Sequence, residues 1–371
     1  MRKPLFILLV LVAALVAIPA SAQSNLPIDR ITLPEGFEIS VYASGLPNAR
    51  MLALGDNGTV FVGTRQAGNV YALTDADGDG VAEQTRTLLR GLNSPNGVAF
   101  LDGALYVAEI GRILRYDDIE AQLDAPPQPL VVNGSLPNEP HHGWKTIHFG
   151  PDGALYIPSG APCNVCETTG PYGVLMRLDL ANPTNLDIVA TGIRNTVGFD
   201  WHPESGELWF SDNARDDLGD NLPADELNRI SEVGQHFGFP YCYDQNIPDP
   251  TFGGGCNATT MTAPAIALGP HVAPLGVRFY TGDSFPEAYQ NQAFIAEHGS
   301  ASRSQRIGYR VMMVTIEDGE ALSYAPFAEG WLGADGSYWG RPVDVMVMPD
   351  GAMLVSDDYA GAVYRIAYTG A

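Results

Sequence analysis

Lysine is almost missing from this 371-residue chain: of its 20 basic residues only Lys3 and Lys145 are lysine, against 43 acidic residues and a formal net charge of −23. So acidic a surface disfavours nucleic acid and anionic membrane as partners. Any anion the chain binds must be held mainly by arginine, whose planar fork matches a carboxylate. Helical periodicity is nearly absent as well, which leaves an all-β pattern of short alternating segments punctuated by Gly, Pro, Asp and Asn. There is no Gly-x-Ser-x-Gly elbow, although Ser, His and Asp are all available for a triad, and no glycine-rich dinucleotide fingerprint, which argues against nicotinamide chemistry. A Cys-x-x-Cys-His attachment site is missing, so any heme involved belongs to a partner.

Long apolar runs are missing too, except for Leu5 to about Ile18, which follows Met1-Arg-Lys-Pro and precedes Ala20-Ser-Ala22-Gln23. This reads as a secretory signal peptide over residues 1–22; the run is shorter than the roughly 20 residues a spanning helix needs, so no membrane insertion is expected. Residues 23–371 are then periplasmic or secreted, and loss of Arg2 and Lys3 with no acid takes the charge from −23 to −25. Only four cysteines occur. Their grouping as Cys163/Cys166 and Cys242/Cys256 favours two local disulfides among the three possible connectivities. The alternative of a zinc site at the first pair lacks neighbouring His or Cys ligands.

What is present is a repeat. The segments "MLALGDNGTVFVGTRQAGNVYALTD" (51–75), "GVAFLDGALYVAEIGRILRYDD" (97–118), "TIHFGPDGALYIPSG" (146–160) with "GVLMRLDL" (173–180), "GFDWHPESGELWFSD" (198–212) with "LNRI" (227–230), "GVRFYTGDSFPEAYQNQAFIAEHG" (276–299) with "GYRVMMVTI" (308–316), and "DVMVMPDGAMLVSDDYAGAVYRIAY" (344–368) each read strand, turn, strand, turn, strand. With a fourth strand after each, they predict one all-β domain over 23–371. It is a six-bladed β-propeller of four-stranded antiparallel blades, in which a strand near 38–50 completes the sixth blade and closes the ring.

In such a ring the first strand of each blade lines the central channel, so the residues leading into the six first strands share one rim. They are Asn48-Ala-Arg50, Ser94-Pro-Asn96, His141-His142-Gly-Trp-Lys145, Ile193-Arg194-Asn195, His271-Val-Ala-Pro274 and Gly340-Arg341-Pro342. The strand interiors read as apolar, and a mouth with three arginines in so acidic a chain points to a polyanionic ligand. Two acidic stretches suggest a hard cation. "SDNARDDLGDNLPADELNRI" (211–230) crowds acids around Gly219 and Pro223, as calcium requires. "DADGDGVAEQTR" (75–86) begins like a calcium loop with Asp75, Asp77, Asp79 and Gly80, but Arg86 stands at position twelve, so it is no EF-hand and reads as a hairpin turn away from the active site that binds structural calcium weakly.

Together "HHGWKTIHFGPDGALY", "GIRNTVGFDWHP", "NARDDLGDNLPADELN", "HFGFPYC", "APLGVRFYTGDSFP" and "FIAEHGSASRS" resemble the soluble quinoprotein sugar dehydrogenases of the glucose/sorbosone group. The resemblance implies pyrroloquinoline quinone (PQQ) and calcium as cofactors and oxidation of an aldose or related sugar, such as sorbosone, at the anomeric carbon. An external acceptor, a periplasmic cytochrome or quinone, would take the electrons. It implies His142 as catalytic base, Arg194, Asn195, Arg303 and Arg341 as cofactor contacts, and the loop 216–226 as the source of calcium ligands, for which Gly219, Asp220, Asp217 and Glu226 are the candidates; Asn96 and Arg50 join the expected cofactor contacts from their place on the rim. The chain departs from the family at Ala301-Ser302, where Trp-Asn is usual, at Val343, where a second arginine is expected, and at Gly143 after the base, which leaves Lys145 to supply positive charge. The competing readings are a calcium-dependent lactonase or esterase propeller, and a non-catalytic propeller that binds glycan or protein.

Overall fold

The structure, a computed structural model, describes residues 26–370; the signal peptide expected at 1–22 lies outside them. Six four-stranded antiparallel sheets follow one another along the chain. Blade I is Ala49–Leu54, Val60–Thr64, Val70–Thr74 and Gln84–Leu89, and blade II is Gly97–Leu101, Ala104–Ala108, Ile113–Tyr116 and Leu130–Asn133. Blade III is His148–Phe149, Leu155–Ser159, Val174–Leu178 and Leu186–Thr191. Blade IV, Phe199–Trp201, Leu208–Asp212, Ala224–Ile230 and Ile266–Pro270, reaches its outer strand only after an insertion at 231–265. That insertion carries the small hairpin Cys242–Tyr243 and Ile247–Pro248 and the Cys242–Cys256 disulfide; Cys163 and Cys166 form the second bridge, as their grouping favoured. Blade V is Pro274–Phe279, Ala293–Glu297, Arg310–Glu317 and Glu320–Ala328.

Blade VI contributes Pro342–Val347, Met353–Asp357 and Ala362–Tyr368, and its outer strand is Phe37–Ser44 from the other end of the chain, paired antiparallel from Phe37↔Tyr368 to Ser44↔Ala362. The closing strand is pinned by Phe37, whose ring meets those of Phe285, Tyr289, Phe327 and Tyr368 at 4.7–5.1 Å. Such edge-on aromatic contacts add to the burial term that holds the seam. Among the described residues no helix is long and apolar enough to cross a membrane.

Near the axis the first strands of neighbouring blades crowd together. A Cβ on Gly198 would fall 2.0 Å from the Leu275 carbonyl oxygen, so glycine is required there. The expectation of apolar strand interiors is corrected at four positions. Asp344 of blade VI accepts a 2.9 Å bond from Leu52 N of blade I, and Asp200 of blade IV accepts one of 2.9 Å from Phe279 N of blade V. Arg278 Nη2 lies 3.1 and 2.9 Å from the two ring nitrogens of His148. Among the described residues no ladder joins the first strands of adjacent blades, so these side chains add cross-blade hydrogen bonds inside the channel.

Candidate functional site

Antiparallel blades place two sets of residues on one face: those leading into the first strand and those just past the second. Arg50 and Asn96 come from the first set, and Arg65, His298 and Asp358 from the second. They meet at the channel mouth. The Asp358 carboxylate lies 3.0 Å from Arg50 Nη1, 2.9 Å from Arg341 Nη2 and 3.0 Å from His298 Nε2. Burial alone would raise the Asp358 carboxyl, but the hydrogen bond to His298 and the two guanidiniums outweigh it and hold the group well below the usual carboxylate range. Arg50 also donates to Asn96 Oδ1 at 3.0 Å, and the Asn96 amide donates to the Lys145 carbonyl at 3.0 Å, so the first strands of three successive blades are tied at the rim.

Among the described residues Arg65 has no carboxylate within 4.0 Å and no hydrogen-bond acceptor; its guanidinium sits 3.9 Å above the Trp144 ring. Burial and the neighbouring Arg50 and Arg341 pull it down to about 10, so a cluster of like charges is held with one carboxylate between them. Trp144 Nε1 is buried without a partner. Its ring stands edge-on to that of His142 at 6.3 Å. His142 adopts a left-handed φ of 51° in the turn from Pro140 to Gly143. The glycine that follows is a steric requirement, since a Cβ on Gly143 would lie 2.0 Å from the Glu139 carbonyl oxygen. His142 Nδ1 is 2.9 Å from the Ala161 carbonyl, which makes it the protonated nitrogen and leaves the Nε2 lone pair free. Burial, then Arg194 and His141, push the imidazole down to about 3, so it is neutral near pH 7.

Lys145 is 1% exposed and its Nζ donates to Gly143 O at 2.6 Å; burial pulls it down to about 8. Asn195 is fixed by its backbone, with N donating to Asp212 Oδ1 at 2.6 Å and the carbonyl accepting from Asn213 Nδ2 at 3.1 Å, while its side-chain amide meets no partner among the described residues.

Other expected contacts do different work. The guanidinium of Arg194 is held by the Asn164 carbonyl at 2.8 Å, Asn164 Oδ1 at 2.7 Å, the Asn213 carbonyl at 2.8 Å and Asp216 at 3.3 Å. It braces the Cys163–Cys166 loop against the 213–223 loop rather than standing free at the mouth. Arg303 donates to the carbonyl oxygens of Asp220 and Gln305, so it ties two loops together instead of joining Asp358.

The four expected calcium ligands do not converge. Gly219 O accepts from His271 Nε2 at 2.8 Å, the Asp220 carboxylate accepts from Ser304, Asp217 is 2.5 Å from Arg215, and Glu226 is buried against Asp244 N at 2.7 Å. Burial, with Asp212 nearby, raises Glu226 to about 8, and burial raises Asp225 to about 7; Asp225 accepts from Ala214 N and Ala273 N, and Glu226 from Asp244 N of the insertion. Among the described residues the one set of three or more acidic, His or Cys side chains with ligand atoms within 4.8 Å of one another is Asp75, Asp77, Asp79 and Glu83, in the turn between the third and fourth strands of blade I, at the far end of the strands from the mouth.

The fold and the mouth thus define a class: a six-bladed propeller whose channel opens among guanidinium, indole and amide donors, with a neutral imidazole beside them. Such a donor set fits a planar ligand rich in carboxylate and carbonyl acceptors, which PQQ is. By sequence the chain belongs to the family described as Domain of unknown function (DUF7133), which matches residues 26–366. It is 32% identical over 361 residues to a Borreliella burgdorferi protein described as uncharacterized, with 91% of each chain covered. A pyrroloquinoline quinone-dependent pyranose dehydrogenase of Coprinopsis cinerea is 23% identical over 427 residues, covering 95% of this chain and 56% of its own length, so this chain spans about half of that relative. The calcium structure of a Trichoderma reesei carbohydrate-active enzyme of family AA12 superposes with a TM-score of 0.80 at 19% identity, over 94% of this chain and 99% of that one, a likeness of fold.

Proposed function

We propose that the protein is a quinoprotein dehydrogenase that binds PQQ at the channel mouth and oxidises an aldose or related sugar, such as sorbosone, at its anomeric carbon. The observation that carries this reading is the unpaired donor set: the Arg65 guanidinium, Trp144 Nε1 and the Asn195 amide, beside Arg341 and the neutral His142. Arg65 and Arg341 would meet ligand carboxylates, and Trp144 and Asn195 would donate to its remaining acceptors. When bound, PQQ supplies a two-electron acceptor for the hydride of the carbinol carbon. His142 takes the hydroxyl proton on Nε2 and is oriented for this by its Nδ1–H bond to Ala161 O. A general base of this kind accounts for about 10²- to 10⁴-fold in rate. A periplasmic or secreted location and an external cytochrome or quinone acceptor complete the proposal.

The test is titration of the purified protein with PQQ, followed by dye reduction with a panel of aldoses and sorbosone. Calcium is varied throughout, because the resemblance implies it and the 213–223 loop offers no convergent cage. Saturable PQQ binding with sugar-dependent dye reduction supports the reading; no PQQ binding at any calcium concentration removes it. His142→Ala should keep PQQ binding and lose most turnover.

A further inference from the structure

Beside the mouth, where the ring closes, a cleft of about 520 Å³ opens on the same face. One wall is the turn Gly45–Asn48, which links the closing strand to blade I; the others are Gln66 and Ala67 of blade I and the Asp358–Gly361 turn of blade VI. The walls are fastened to one another. Leu46 N donates to Gly361 O at 2.9 Å, and Gln66 N donates to Asn48 Oδ1 at 2.7 Å. The cleft is therefore preformed and has the size of a small-molecule site, roughly 300–1,000 Å³.

Tyr359 lines it and is 54% exposed, the sole aromatic among the exposed large apolar side chains of the described residues. Its ring is held by that of Tyr338, 4.7 Å away, and by the Arg341 guanidinium, 5.6 Å from its centroid. The single carboxylate in the lining is Asp358, already engaged by Arg50, Arg341 and His298. What remains is one braced aromatic face, the amides of Asn48 and Gln66, and no free charge. An ionic ligand finds no counter-charge here, and a purely apolar one would leave the amides without partners. A neutral pyranose satisfies both, with its C–H face on the tyrosine and its hydroxyls on the amides.

We propose that this cleft is a subsite for a further sugar unit, so that the preferred ligand is a neutral oligosaccharide with its terminal unit at the mouth and the next on Tyr359. The placement of the terminal unit rests on the quinoprotein reading; the binding itself does not. Isothermal titration of the full chain without PQQ would use glucose against maltotetraose, cellotetraose, mannotetraose and chitotetraose. We expect at least one tetrasaccharide to bind about tenfold more tightly than glucose, the size of one aromatic contact. Tyr359→Ala should abolish that difference and leave glucose binding unchanged; Gln66→Ala should reduce it in part. Length-dependent binding in a protein that takes up no PQQ would support the subsite while sinking the quinoprotein reading. Normal PQQ uptake with no length dependence, or a Tyr359→Ala protein that binds tetrasaccharides as the parent does, would overturn the subsite.

Discussion

Arg50, 1% exposed, places its Nη1 3.0 Å from Asp358 Oδ2, across the seam between blades I and VI. The ion pair joins the two blades that meet where Phe37–Ser44 closes the ring, and it also sets the charge of the mouth. Removing one partner strands the other in a low-dielectric site. Asp358→Asn should therefore destabilise the protein by about 3–5 kcal/mol, read as a lower urea midpoint at unchanged m-value. A loss below about 1 kcal/mol would mean that Asn96 alone satisfies Arg50.

Arg65 is the opposite case, a guanidinium with no acid of its own held near Arg50 and Arg341. Relieving like-charge repulsion should leave stability unchanged or slightly higher in Arg65→Met, whereas PQQ affinity should fall by about tenfold or more, the scale of one charge-assisted contact. A melting curve and a PQQ titration of the same preparation separate the two effects. Unchanged affinity would remove Arg65 from the ligand site.

The six blades were legible because each repeats its turn chemistry, and the closing strand because one outer strand was left over at the start of the chain. Arg50, Asn96 and Arg341 were found by reading lead-ins to first strands. Arg65 and Asp358 were missed because they follow second strands, Val60–Thr64 and Met353–Asp357, which antiparallel geometry returns to the same face. Arg194 was different: its partners Asn164 and Asn213 come from loops whose meeting depends on the insertion at 231–265 and the packing of Phe239 and Tyr243 beneath Ala161. Nor does a crowd of acids reveal which are loop anchors, and Asp225 and Glu226 proved to be buried acceptors of backbone N–H groups.

Phe37 tests the seam directly. Its ring is buried among four others, and Phe37→Ala should cost about 3–5 kcal/mol, as large-to-small changes of a core aromatic do. Because the outer strand of blade VI is held at that end, amide exchange should accelerate first in Phe37–Ser44 and Ala362–Tyr368. Uniform acceleration across all six blades would show instead that the ring opens only as a whole.

Lys145 gives the clearest pH signature. Its ammonium is buried with a carbonyl partner at 2.6 Å, and burial brings it from 10.5 to about 8. Between those values the unfolded chain carries a proton that the folded protein has released, so stability rises with pH across the window, by up to about 3 kcal/mol at 1.36 kcal/mol per unit. Below pH 8 both states are protonated and the cost of the buried charge is fully present. Tyr42 and Tyr243, raised by burial, act in the opposite direction only above pH 10, which leaves pH 8–10 as the interval to measure. Urea midpoints of the parent should climb over that interval, and those of Lys145→Met should start higher and stay flat. Parallel curves for the two proteins would place the titrating group elsewhere.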